Sequence, residues 1–172
     1  MPVLKIVTQC NIIESMKILV FSDTHGLVGS MVDAVEKYDP AMVIHLGDNI
    51  ADGDMLSAIC TGLPVRQVAG NCDFTLGNYP KEDIFEIGGC KLFICHGHTY
   101  GVKSGTERLE KRARELGAHA ALFGHTHLPL IEKKGSLWVA NPGTASGCRT
   151  GKKTFILIEA ENGNLSIQGK LL

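Results

Sequence analysis

Aspartate, histidine and asparagine recur in this sequence in short clusters, most of them just after an apolar run. The clusters are Asp23-Thr24-His25, Gly47-Asp48, Gly70-Asn71, His96-Gly97-His98 and His125-Thr126-His127. Oxygen and imidazole donors without thiolate suit Mn²⁺, Fe²⁺, Zn²⁺ or Ni²⁺ rather than a soft Cu⁺ site. Residues i and i+2 of an extended segment point the same way, so Asp23 and His25 project a carboxylate and an imidazole together, half of a metal shell. Each cluster alone has a plainer explanation. Ser22, Asp23 and Thr24 are ordinary residues ahead of a helix, and Asn71 is an ordinary loop residue. Their recurrence at nearly every strand-like ending is what points to one shared centre.

Such clusters need elements to carry them. Residues 18–21 read as a buried strand and 27–38 as a helix with Val28, Met31, Val32 and Val35 on one face. A second strand follows over 42–46, a short helix over 54–61 and a third strand over 64–68. Alternating strand and helix implies a parallel sheet, with three Gly/Asp/Asn loops along the carboxyl edge where such sheets bind ligands. The second half changes character. Residues 84–87 and 91–95 flank Gly88-Gly89, a hairpin signal. A charged helix over 107–116 turns Leu109, Ala113 and Leu116 inward, and a strand covers 120–123. Residues 130–133 pair with 137–140, Asn141-Pro142-Gly143 makes a turn, and 155–159 pair with 165–168 across Asn162-Gly163. The expected fold is α/β, a four-layer α-β-β-α sandwich of two mixed sheets packed face to face with helices outside. The loops 101–105 and 145–151 read as the most mobile.

The 172 residues suit one domain with a sizeable core. A net charge of −1 gives no signal for nucleic acid or a membrane surface. No run approaches the ~18 apolar residues of a membrane span, and no secretory signal is evident. The six cysteines form no Cys-x-x-Cys pair, and several lie in apolar runs, which reads as free thiols in a reducing cytoplasm. Residues 1–15 fit the pattern poorly. Met16-Lys17 looks like a natural start, so 1–15 is read as an extension, non-native or an added strand, ahead of one domain over 16–172. The oligomeric state is open, a homo-oligomer included.

The ordered set Ser22-Asp23-Thr24-His25, Gly47-Asp48, Gly70-Asn71-Cys72-Asp73, His96-Gly97-His98 and Gly124-His125-Thr126-His127 resembles the motifs of calcineurin-like metallophosphoesterases. Within them it is most similar to the small single-domain phosphodiesterases of the YfcE-like branch. The resemblance runs from Met16 to near the C-terminus. It implies the sandwich, a two-metal centre and an assignment of ligands. One ion takes Asp23, His25 and His127, the other takes Asn71, His96 and His125, and Asp48 bridges both. It implies in-line hydrolysis of a small or nucleotide-type phosphodiester by a bridging hydroxide, with Mn²⁺ the favoured metal. Two divalent ions bring four charges, Asp23 and Asp48 return two and a hydroxide a third, and Asn71 is neutral, so the centre stays cationic and attracts phosphate. The alternatives are a phosphomonoesterase with the same centre and a non-catalytic scaffold like the retromer sorting subunit, whose mark would be missing ligands.

Asp48 and Asn71 are thus catalytic through the metals, and His98 joins them as a non-ligand. His98 contacts the phosphate, protonates the leaving group, or simply makes a turn hydrogen bond. Cys72 stands where many relatives have a histidine, and nothing adjoining it in sequence would activate a nucleophile. Asp73 holds loop structure or orients a ligand. His45 and His119 read as satisfied core histidines. Asn141-Pro142-Gly143-Thr144 supports the site without ligating. Lys103, Arg149, Lys152 and Lys153 reach a phosphate or are solvated charge.

Overall fold

A computed structural model describes residues 15–73 and 79–172. The extension expected over 1–15 lies outside the described residues, Ser15 excepted. The chain runs β1 (Met16–Phe21), α1 (Val28–Tyr38), β2 (Met42–His45), α2 (Ile50–Ile59), β3 (Val65–Gln67), β4 (Glu82–Ile87) and β5 (Cys90–Cys95). After a 3₁₀ turn at His98–Tyr100 come α3 (Glu107–Glu115), β6 (Ala120–Leu122), β7 (Pro129–Lys134), β8 (Leu137–Pro142), β9 (Thr154–Glu161) and β10 (Asn164–Leu171).

The strands form two five-stranded sheets, ordered β10-β9-β1-β2-β3 and β4-β5-β6-β8-β7. In the first, β1, β2 and β3 are parallel and β9 runs against β1. In the second, β5, β6 and β8 are parallel, with β4 and β7 antiparallel at the edges. Period-two alternation sorts the side chains into layers. Ile18, Val20, Ile44 and Leu46 meet Leu92, Ile94, Leu122 and Ala140 between the sheets. The opposite faces of the same strands, Leu19, Phe21 and Val43, pack on Met31, Ala34 and Leu56 of α1 and α2. Phe93, Ala121 and Val139 pack on Leu109 and Ala113 of α3. The result is the expected four-layer α-β-β-α sandwich.

Three details differ from the sequence pattern. Helix α2 begins at Ile50, four residues before 54, because a carboxylate from a distant loop caps its first N–H groups, as described below. Asn141 and Pro142 continue β8 rather than turning. Pro142 pairs with Pro129 at the end of an edge ladder, where a missing N–H is tolerated, and the chain turns only at Gly143, with φ 82°. Strands β9 and β10 run to eight residues each, joined by Asn162 (φ 49°) and Gly163 (φ 77°), the left-handed pair of a type I′ turn.

Candidate metal centre

The carboxyl ends of β1, β2 and β3 from one sheet and of β5 and β6 from the other meet at one end of the sandwich. Asp23 N–H donates to Gly47 O at 3.1 Å, Gly124 N–H to His96 O at 2.9 Å, and Ala145 N–H to Ser22 O at 3.2 Å. Across the sheets, His125 N–H donates to Asp23 Oδ2 at 3.2 Å and Thr144 Oγ1 to Asp23 O at 2.9 Å. Asp23, His25, Asp48, His125 and His127 all take left-handed backbone, with φ of 53°, 46°, 56°, 68° and 62°. For a residue with a Cβ that conformation costs about 1–2 kcal/mol, and it persists only where the surroundings enforce it. Two glycines make the enforcement sterically feasible. A Cβ on Gly70 would overlap the Asp48 carboxylate, and one on Gly124 would overlap Ser22 Oγ. This is the physical reason for glycine in Gly70-Asn71 and Gly124-His125.

The side chains converge with particular atoms left free. Ser22 Oγ donates to Asp23 Oδ2 at 2.6 Å, and His125 N–H shares that oxygen. Asp23 Oδ1 faces His127 Nε2 at 3.1 Å yet makes no hydrogen bond. His96 Nδ1 donates to Leu46 O at 2.7 Å, leaving Nε2 without a hydrogen-bond partner, 3.4 Å from Asp48 Oδ1. Asn71 Nδ2 donates to Cys72 Sγ at 3.3 Å, and its buried Oδ1 has no partner. Leaving such atoms unsatisfied costs about 1–3 kcal/mol each. Among the described residues, three sets bring one ligand atom each within 4.8 Å: Asp48, His96 and His125; Asp23, Asp48 and His127; His25, His127 and Cys148. The His25 ring is exposed and stacks on His127 at 5.7 Å between centroids. His98 sits 5.5 Å from His96 and 6.1 Å from His125, its Nδ1 buried and unpartnered.

Charge and burial prepare these groups. Burial first, then the charge of His96 and Lys103, pushes the His125 pKa down to about 4. Burial likewise lowers His127 and His98. Their imidazoles are neutral at pH 7, with a lone pair to give a cation. His96 is the exception. Burial opposes its charge, but Asp48 and Asp23 outweigh burial and raise its pKa. Burial raises the pKa of Asp23. Asp48 is pushed up by burial too, yet His96 and the Cys72 N–H at 2.9 Å more than offset this and hold it below the usual carboxylate range.

Around the cluster lies a layer of positioning groups, only partly legible in the sequence. The Asp73 carboxylate accepts four backbone N–H groups: Asp48 and Gly70 on Oδ2 (2.8 Å each), and Asn49 (2.8 Å) and Ile50 (3.1 Å) on Oδ1. It clamps two ligand loops together and caps α2, as the loop-holding expectation had it. His45 is the satisfied core histidine expected. Its Nδ1 accepts from Gly47 N–H at 3.3 Å, and its Nε2 lies 3.0 Å from Thr24 Oγ1, which donates to Asp52 at 2.6 Å. Burial pushes its pKa down to about 4. Asn141 Nδ2 donates to Gly124 O at 2.8 Å and supports the His125 loop without joining the cluster. His119 differs from expectation: it is exposed, and its Nδ1 accepts the Lys91 N–H at 2.8 Å. Cys72 is exposed as a residue, yet local desolvation of its thiol and the neighbouring Asp48 raise the thiol pKa, which disfavours the thiolate a nucleophile needs. Asp52 and Cys148 were not anticipated. Asp52 fell outside the expected helix, and no spacing connects Cys148 to the site, yet its Sγ lies 2.9 Å from His127 Nδ1.

Comparison with known proteins identifies relatives of the whole fold. A phosphodiesterase of Methanocaldococcus jannaschii is 28% identical over 162 residues, covering 85% of this chain and 94% of the relative. The crystal structure of a predicted phosphoesterase from Streptococcus pneumoniae superposes with a TM-score of 0.78 at 27% identity, covering 92% of this chain and 90% of that one. Vacuolar protein sorting 29 of Cryptosporidium parvum shares the fold at a TM-score of 0.74 and 19% identity, covering 92% and 98%. No helix among the described residues is long and apolar enough to cross a membrane. Residues 16–163, which span every loop of the cluster, match the calcineurin-like phosphoesterase superfamily domain, and the chain belongs to that superfamily.

Proposed function

We propose that this protein is a metal-dependent phosphodiesterase that hydrolyses small or nucleotide-type phosphodiesters at a centre of two divalent cations. Asp23, His25 and His127 would hold one cation and Asn71, His96 and His125 the other, with Asp48 shared between them. One observation carries the reading: Asp23 Oδ1, Asn71 Oδ1 and His96 Nε2 are buried polar atoms without hydrogen-bond partners, and all three belong to this ligand set. Cations would satisfy them together. Oxygen and imidazole donors fit Mn²⁺, Fe²⁺, Zn²⁺ or Ni²⁺, and we favour Mn²⁺. The name of the Methanocaldococcus jannaschii relative supports a diester substrate.

When bound, the two cations supply Lewis acidity toward the phosphoryl group and a water activated near neutral pH. The chain's own residues do the rest. Asn71 offers a neutral amide where a carboxylate would cancel a charge, so the centre retains positive charge and draws in a phosphate anion. Asp73 and Asn141 hold the ligand loops in register. His98 is kept uncharged by burial and acts as a hydrogen-bonding partner of a phosphoryl or leaving oxygen. With a thiol at Cys72 in place of a stronger acid, good leaving groups are favoured.

The test is metal-stripped protein reloaded with Mn²⁺ and offered bis(p-nitrophenyl) phosphate and p-nitrophenyl phosphate. Mn²⁺-dependent turnover, faster on the diester, is expected. Faster turnover of the monoester would reassign the enzyme as a phosphomonoesterase. Failure to retain Mn²⁺ would overturn the centre in favour of the scaffold reading. In Asp48→Ala, metal and turnover should be lost together.

A further inference from the structure

Beside the His125-Thr126-His127 loop lies a cleft of about 560 Å³ whose lining includes Thr126. That volume is within the ~300–1,000 Å³ of small-molecule sites. Its walls are apolar: Val102 and Phe123 are buried, Leu128 is half exposed at 50%, and Leu130 continues the wall along β7. Lys103 and Arg149, the two cations in the lining, come from different loops, one ahead of α3 and one between β8 and β9. Both are exposed, and among the described residues neither belongs to an ion pair. Arg149 is nonetheless anchored. Its Nη1 donates to Thr126 O at 3.2 Å, which fixes the guanidinium over the loop and leaves its other N–H groups free. Thr126, which lines the cleft and whose carbonyl holds Arg149, lies between His125 and His127 in the chain. The cleft therefore borders the loop that carries two of the proposed ligands.

Apolar walls and two unpaired cations are complementary to a ligand with a flat apolar ring and an anion. A centre that seats the scissile phosphate leaves the rest of the substrate to fill the adjoining space. We infer that this cleft binds the half of the substrate beyond the scissile phosphate, and that this half is a nucleoside carrying a second phosphate held by Lys103 and Arg149. The inference rests on the phosphodiesterase reading for its orientation. A guanidinium held by one backbone carbonyl still offers a phosphate a two-pronged contact, and the flexible lysine adds a point charge.

Two measurements on the full chain separate the inference from the reading beneath it. The first is calorimetric binding of adenosine 3′,5′-bisphosphate and of adenosine to metal-free protein, in the wild type and in Lys103→Ala/Arg149→Ala. The bisphosphate should bind at least about tenfold more tightly than adenosine in the wild type, and the ratio should collapse toward one in the double variant. A wild-type ratio near one, or a ratio untouched by the double substitution, overturns the inference. The second compares wild-type kcat/KM on a dinucleotide diester with and without a terminal phosphate. A preference of about tenfold for the phosphorylated form is expected. Equal turnover of both sinks the cleft assignment and leaves the phosphodiesterase intact. No turnover of either, nor of bis(p-nitrophenyl) phosphate, sinks the phosphodiesterase, and the binding ratio then decides the cleft alone.

Discussion

Asp73 contributes no atom to the ligand set, yet its removal should damage both the fold and the centre. Its carboxylate accepts N–H groups at 2.8, 2.8, 2.8 and 3.1 Å. Two of these, from Asp48 and Gly70, bind the loop after β2 to the loop after β3. The other two, from Asn49 and Ile50, cap α2, whose N-cap residue makes no side-chain cap of its own. Hydrogen bonds to a charged acceptor contribute roughly 1.5–3 kcal/mol each, so the four together set an upper bound of about 12 kcal/mol. Water can reach part of this half-buried site, and loss of a cap alone costs about 1 kcal/mol. The expected loss for Asp73→Ala is therefore about 3–4 kcal/mol. At a urea slope of about 2 kcal/mol per molar, the unfolding midpoint of metal-free protein falls by about 1.5–2 M. Asp48 loses the anchor of its own N–H, so Mn²⁺ affinity measured by calorimetry should fall about 10–100-fold. Asp73→Asn should not rescue either quantity, because its NH₂ group would face N–H donors. A midpoint loss worth less than about 0.5 kcal/mol, the size of an ordinary surface change, or an unchanged Mn²⁺ affinity would refute the reasoning.

Other perturbations read the same structure from different sides. Gly70→Ala puts a methyl group into the Asp48 carboxylate; metal counting should show most bound Mn²⁺ lost while circular dichroism still reports a folded chain. His45 stays neutral in the folded state down to about pH 4, whereas in the unfolded chain it takes up a proton below about pH 6.5. Protons then favour the unfolded state, so about 3 kcal/mol of stability, present above the unfolded pKa, is lost as pH falls from about 6.5 to about 4; urea midpoints across that range should fall less in His45→Gln. Cys148→Ala removes the sulfur from His127 Nδ1 and should weaken Mn²⁺ binding about tenfold, with Cys148→Ser recovering part of it; equal affinities across the three would remove Cys148 from the centre.

Much of this was legible before folding. Apolar runs ending in Asp, Asn and His mark β1, β2, β3, β5 and β6 and the loops after them, and glycine-bearing turns at Gly88-Gly89, Gly135 and Asn162-Gly163 mark the three hairpins. Helix α3 was read almost to its ends because its inward face repeats cleanly, with Leu109 and Ala113 buried. The start of helix α2 is not legible in the sequence because its signal is not local: Asp73 caps it from the loop after β3, and Ile50 and Asp52 give no strong helical stripe. The same lack of a local signal conceals Asp52, whose carboxylate orders Thr24 and, through it, His45. Cys148 was invisible for a related reason, since its meeting with His127 depends on where the loop after β8 returns. Local pattern reports elements and their ends. Contacts made between loops of distant strands become visible only when the two sheets are joined.

The central claim is that distant strand ends hold a pair of cations. Crystals grown with Mn²⁺ and measured near the manganese absorption edge test it directly. Two anomalous peaks about 3.5–4 Å apart are expected, one against Asp23, His25 and His127 and one against Asn71, His96 and His125, with Asp48 touching both. A single peak, peaks away from these side chains, or no peak at saturating Mn²⁺ would contradict it.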